Sequence, residues 1–174
     1  MPNCYAGAIV SDEQEPARGR RSTLRLADAI AKDLSEYGLI LRGGFLAGPK
    51  DEVLFAGVST VLLIGNAGPA MWEAFALHID EERNPLDRWT RRVIDPIADR
   101  FGARAVYPFG PDVPPFQRWA LRADTVHASP LGILIHSEYG LWHAYRAALL
   151  FIERLDRPGG QPDVPRWNLR LHTR

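Results

Sequence analysis

The chain has 174 residues, enough for one domain that buries roughly two thirds of the surface its unfolded form exposes. Lys plus Arg equals Asp plus Glu at 21 each, so the overall charge carries no signature of nucleic-acid binding. The single cysteine, Cys4, rules out a disulfide framework, a cysteine zinc site or an iron–sulfur cluster built from these residues alone.

No apolar run approaches the ~20 residues of a membrane helix. The N-terminus lacks the basic-then-apolar order of a signal peptide. The expectation is a cytoplasmic protein with no membrane partner. Residues 1–20 show no period and read as a loose arm, and residues 21–155 as the folded domain. In "STLRLADAIAKDLSEYG", Ser22 or Thr23 caps a helix whose apolar face is Leu24, Ala27, Ile30, Ala31 and Leu34. Gly38 stands where that helix stops. "LILRGGFLAG" reads as a short strand entering a turn at Gly48-Pro49.

"STVLLIGNAGP" is the clearest buried strand, ended by Gly65, Asn66 and Gly68. Pro69 suits the first turn of a helix over "PAMWEAFALHI". A second helix restarts at Pro85 and runs to about Phe101, with Gly102 as its stop and Pro96 expected to kink or divide it. "ARAVYPF" is a strand candidate, and "GPDVPPFQRWALRAD" a proline-rich loop leading into a short helix. "LGILI" reads as another buried strand. "AYRAALLFIERL" is ambiguous between strand and helix by period alone. Residues 156–174 form a Pro/Gly-rich basic tail that builds no packed element, and no internal repeat is present. The alternation is irregular, and the expected class is α+β or mixed α/β, one domain with a small sheet covered by helices.

The densest chemistry lies in "HSEYGLWHAYR", which places two of the five histidines between two apolar runs. His136 and Glu138 form an H-x-E pair whose side chains share one face of a strand. His143 would complete a two-histidine, one-carboxylate site only if a turn at Tyr139-Gly140 brought it round. That spacing disfavours a metal, and none is assigned. Ser129 and Ser137 sit near histidines but in no nucleophile elbow, so no catalytic residue is assigned. "IGNAGP" follows a strand and opens a helix, so backbone N–H groups around Pro69–Met71 could meet an anion or a polar cofactor edge. It lacks the patterns of the nucleotide-binding glycine loops. Tyr139, Trp142, His143 and Tyr145 offer flat apolar faces with polar tips, and Arg146 a forked donor. Together they suit the wall of a pocket for a large planar ligand, or the edge of an aromatic core.

"ASPLGILIHSEYGLWHAYRAALLF" resembles the signature of the cobalamin-processing family, the decyanating and dealkylating proteins, and of its bacterial relatives akin to epoxyqueuosine reductases. The pattern is carried by His136, Ser137, Tyr139-Gly140, Trp142 and Arg146 with the apolar strand that follows. "STVLLIGNAGPAMWEAF" and "NPLDRW" resemble the family's strand–loop–helix start and its acidic helix opening, in the same order. The resemblance implies a nitroreductase-like fold with a mostly antiparallel sheet. It also implies a corrinoid, cobalamin, bound near the signature loop, and reductive chemistry. The residues it places on the cofactor are His136, Ser137, Tyr139, Gly140, Trp142, His143 and Arg146, with Pro69, Met71 and Trp72 at the helix start. Arg146 could instead hold a thiol or carboxylate co-substrate. The relatives' cysteine-rich iron–sulfur segment has no counterpart here, so electrons would come from an external donor. Two alternatives stand beside this: a flavin-dependent reductase of the same fold, or a non-catalytic scaffold that lost its redox half.

Overall fold

Two of the most apolar runs in the chain become the two central strands of one sheet. The computed structural model describes residues 15–79 and 81–155. The strands are β1 (Ile40–Leu46), β2 (Thr60–Ala67), β3 (Arg104–Val106), β4 (Val126–Ala128), β5 (Leu134–His136) and β6 (His143–Phe151). The main sheet has the order β1-β2-β6-β3 and is antiparallel throughout, while β4 and β5 form a separate two-stranded ribbon. Four helices complete the described residues: α1 (Glu15–Ser35), α2 (Ala70–Ala76), α3 (Pro85–Arg100) and α4 (Phe116–Ala123). The class is therefore α+β with a small antiparallel sheet. No helix among the described residues is long and apolar enough to cross a membrane.

The sheet is covered on both faces. Leu62 and Ile64 of β2, with Ala147, Leu149 and Phe151 of β6, pack against Ile30 and Leu34 of α1, Met71 and Phe75 of α2, and Trp89, Val93, Ile94 and Ile97 of α3. On the other face Val61, Leu63, Ala148 and Leu150 meet Phe45 and the α4 residues Phe116, Trp119, Ala120 and Ala123. A strand buried on both faces has no solvent side to mark, so it reads as a continuous apolar run rather than an alternation. That explains why "AALLF" gave no period. It is strand because it pairs with β2 over its whole length, from Thr60↔Phe151 to Ala67↔His143. Thr60 pins its end: the Thr60 hydroxyl donates to the Glu153 carbonyl (2.9 Å) and accepts from the Leu155 N–H (3.0 Å).

Several expectations shift. The first helix begins at Glu15 rather than at Ser22 or Thr23, with Pro16 in its first turn, where a missing N–H costs nothing. The loose-arm reading therefore extends too far; its remaining part and the tail over 156–174 lie outside the described residues. Helix α3 runs undivided through Pro96, which is exposed, so the carbonyl it leaves unpaired can turn to water. "LGILI" is not a core strand. Leu131 and Ile133 are exposed, and only Leu134 onward pairs, with a strand at Val126–Ala128 that the sequence did not signal.

Two β-bulges flank β2 at one level. The β1–β2 register slips between Leu41 and Gly44, and the β2–β6 register slips between Ile64 and Gly65, leaving Arg146 as the extra residue. Gly43 occupies the first bulge with φ +99°, and a Cβ there would stand 2.1 Å from the Ala123 carbonyl oxygen. Only glycine allows β1 and α4 to approach so closely.

Candidate functional site

The bulges re-aim side chains, and the site follows from that. Beyond the β6 bulge Tyr145 packs with the α4 face of the core. The bulged Arg146 instead donates from Nε to the Asn66 Oδ1 at 2.9 Å. The β1 bulge turns Arg42 into the interior, where it is 4 % exposed. Arg42 meets Asp124 through both Nε (2.9 Å) and Nη2 (2.8 Å). Its Nη1 donates to the Asn66 carbonyl at 3.3 Å. Its guanidinium lies 5.5 Å from the Tyr139 ring centre and 5.2 Å from that of Tyr145, within range of both π faces.

Asp124 is the hub of this buried network. Its carboxylate also accepts from the Tyr145 hydroxyl (2.8 Å) and the Thr125 N–H (2.7 Å), and lies 3.3 Å from His136 Nε2. His136 ends β5, is 6 % exposed, and stacks on Tyr139 at 4.5 Å. Its Nδ1 accepts from two backbone N–H groups, those of Glu138 (3.0 Å) and Tyr139 (3.1 Å). That nitrogen therefore carries no proton, and Nε2–H faces the Thr125 hydroxyl at 2.9 Å. Burial is the main force that lowers the His136 pKa; Arg42 adds to it, and Asp124 opposes it. His143 behaves alike. Its Nε2 faces the Leu134 carbonyl at 3.2 Å, Arg42 Nη2 approaches its Nδ1 at 3.5 Å, and burial again lowers its pKa.

The H-x-E chelate does not assemble. His136 closes a strand and has both nitrogens committed, while Glu138 stands exposed in the turn that follows. That turn, over residues 137–142, carries the chain from the ribbon back to the main sheet. It is closed by reciprocal backbone bonds between His136 and Gly140 and tied to β2 by the Gly68 N–H to the Trp142 carbonyl at 3.2 Å. Gly140 holds the left-handed conformation, φ +58°, that the turn requires.

A cavity of about 460 Å³ opens beside this turn. Its lining includes Asn66, Pro69, Trp72, Leu141, Trp142 and Arg146. Trp142 is 83 % exposed and Trp72 50 %, large values for side chains of that apolar area. Arg146 brings side-chain donors to the polar part of the lining. The terminal nitrogens of Arg146 make no hydrogen bond to the described residues. Arg146 can only donate, so Asn66 must turn its oxygen to it and its amide N–H2 elsewhere in the cavity it lines. Burial lowers the Arg146 pKa while the Asp87 carboxylate supports its charge, and a guanidinium remains a cation throughout. A second groove of about 660 Å³, along Pro108 and the start of α4, is larger and lined mainly by prolines and apolar side chains with Gln117, and its one arginine, Arg118, is engaged with Glu52.

Of the ten residues singled out from sequence, Pro69, Trp72, Trp142, His143 and Arg146 line the cavity. Met71 is fully buried in the core against α1 and α3, because it sits on the sheet-facing side of α2. His136, Ser137, Tyr139 and Gly140 lie behind the wall, where they shape the turn rather than border the cavity. Asn66, Arg42, Asp124 and Thr125 were missed. The one available signal was "LRGG", a charged residue inside an apolar strand followed by two glycines, which is how a bulge reads. No family model matches the chain, and no curated protein matches it, so the residues themselves carry the functional reading.

Proposed function

We propose that this chain is a binding domain for a large flat ligand rich in hydrogen-bond acceptors, of the corrinoid class, in a cytoplasmic, nitroreductase-like reductive system fed by an external electron donor. One observation carries the reading. Two exposed indoles from separate segments, Trp72 and Trp142, flank a cavity that Asn66 and the Arg146 guanidinium also line. Indoles give planar apolar contact, and an acceptor-bearing rim answers the Arg146 and Asn66 donors. A cavity of about 460 Å³ suits one edge or side arm of a corrin, with the rest of the ring over Trp142 and Leu141. Cobalamin, when bound, would supply the redox chemistry through its cobalt. The protein's own residues would bind amide carbonyls, orient the ring and keep water from one face.

The test is direct. Hydroxocobalamin added to the purified protein should shift the visible spectrum and release heat on titration. Trp142→Ala should weaken binding by roughly thirtyfold, about 2 kcal/mol. Leu131→Ala, which is as exposed but lies outside the cavity, should change nothing. No spectral shift and no heat would overturn the reading. The Arg146 and Asn66 donors also suit the carbonyls of a flavin, and a protein that purifies yellow would favour that alternative. A folded protein that binds neither would favour the scaffold.

A further inference from the structure

His136 sits at a junction that the binding reading does not explain. Its Nδ1 is the common acceptor for the Glu138 and Tyr139 N–H groups, at 3.0 and 3.1 Å. Those two amides begin the turn that ends in Trp142, whose own N–H donates to the Tyr139 carbonyl at 2.9 Å. A chain of hydrogen bonds therefore runs from one buried ring nitrogen to the backbone of Trp142, whose indole stands at the cavity. Acceptance by Nδ1 is possible only while the imidazole is neutral. A proton there would face two N–H donors, and both bonds would be lost.

We propose that His136 is an acid-sensitive latch: neutral, its Nδ1 holds the Glu138 and Tyr139 amides at the head of the cavity-wall turn; protonated, it frees those two amides and loosens the turn, while the His136–Gly140 and Gly68–Trp142 backbone bonds keep it attached. The groups around the ring come from every element packed on it. Asp124 and Thr125 precede β4, Arg42 comes from β1, His143 and Tyr145 from β6, and Glu138 and Tyr139 from the turn itself. Asp124 favours the charged ring, but it is already shared with Arg42, Tyr145 and the Thr125 N–H. Burial and the Arg42 cation oppose the charge. A latch of this kind would couple ligand retention to acidity. That coupling rests on reading the cavity as a ligand site; the loosening of the turn does not.

Hydrogen exchange followed by NMR on the ligand-free full chain tests it. Corrected for intrinsic rates, protection of the Glu138 and Tyr139 amides should fall at least about tenfold as pH drops from about 7.5 through the His136 titration. Far-UV circular dichroism should show the fold intact over that range. The midpoint should coincide with the ring-nitrogen titration of His136 and not with that of His143. His136→Asn places a non-titrating oxygen near the Nδ1 position, and it should abolish the pH dependence. Protection that does not change with pH, a midpoint that follows His143, or an Asn variant that behaves as wild type would each overturn the latch. Because no ligand is present, a failure of cobalamin to bind would not produce any of these results.

Discussion

Asp124 binds Arg42 through two guanidinium nitrogens and also accepts from Tyr145 and the Thr125 N–H. The side chains of Arg42 and Asp124 are only 2 % and 8 % exposed, so each charge relies on the other. Removing one partner of such a pair leaves the other buried and unpaired, which typically costs about 3–5 kcal/mol. Asp124→Asn should lower stability by that amount in urea unfolding, since an amide cannot balance the Arg42 cation. A change below about 1 kcal/mol would show that Arg42 is compensated from elsewhere. Nothing in the sequence joins these residues. They stand 82 positions apart, and although "LRGG" marks a bulge at Arg42, nothing in it points to Asp124. Trp142 and Arg146, by contrast, were legible, because their residue types are conspicuous between two apolar runs.

At the scale of elements, the two bulges decide which side chains meet. Without the slip at Ile64/Gly65, strict alternation from Ala148 would put Tyr145 on the α1–α3 face, away from Asp124. The β1 bulge does the same for Arg42, and it depends on Gly43. Gly43→Ala meets both a positive φ and the Ala123 carbonyl 2.1 Å from the new methyl. We expect it to cost at least about 2 kcal/mol, or roughly 4–8 °C in Tm for a chain of this size. Thermal unfolding checks this, and an unchanged Tm would mean that α4 moves away freely. The helices were largely legible: α1 from its one-sided apolar period, although its start was placed too late, and α2 and α3 from the prolines at their starts. The ribbon was not, because each of its strands has only three residues and is partly exposed.

For the whole molecule, the buried titratable groups predict a stability plateau. His136 and His143 have pKa values lowered from 6.5, mainly by burial. Their stabilising contribution is fully present above that value and is lost as pH falls through the lowered folded values. Tyr107 and Tyr145 have pKa values raised above 10.0, by burial first and then by Asp95 and Asp124 respectively. Their contribution is fully present below pH 10.0 and is lost as pH rises through the raised values. Urea midpoints across pH should therefore be flat from about 7 to about 10 and fall on either side. A maximum near pH 5 would contradict the histidine assignment.

The sequence by itself narrowed the class to α+β or mixed α/β and located the bodies of the helices, the buried run of β2, and a crowded polar and aromatic segment. Local period, turn residues and side-chain chemistry act over a few positions, and these features need nothing more. Only the tertiary structure decided how "HSEYGLWHAYR" divides. His136 turns inward to cap its own turn, Tyr145 joins a buried ion pair, and Trp142 and Arg146 open onto a cavity with Asn66. That division depends on strand register. A single inserted residue reverses which face a side chain takes, and register is set by the neighbouring strands, not by the segment itself.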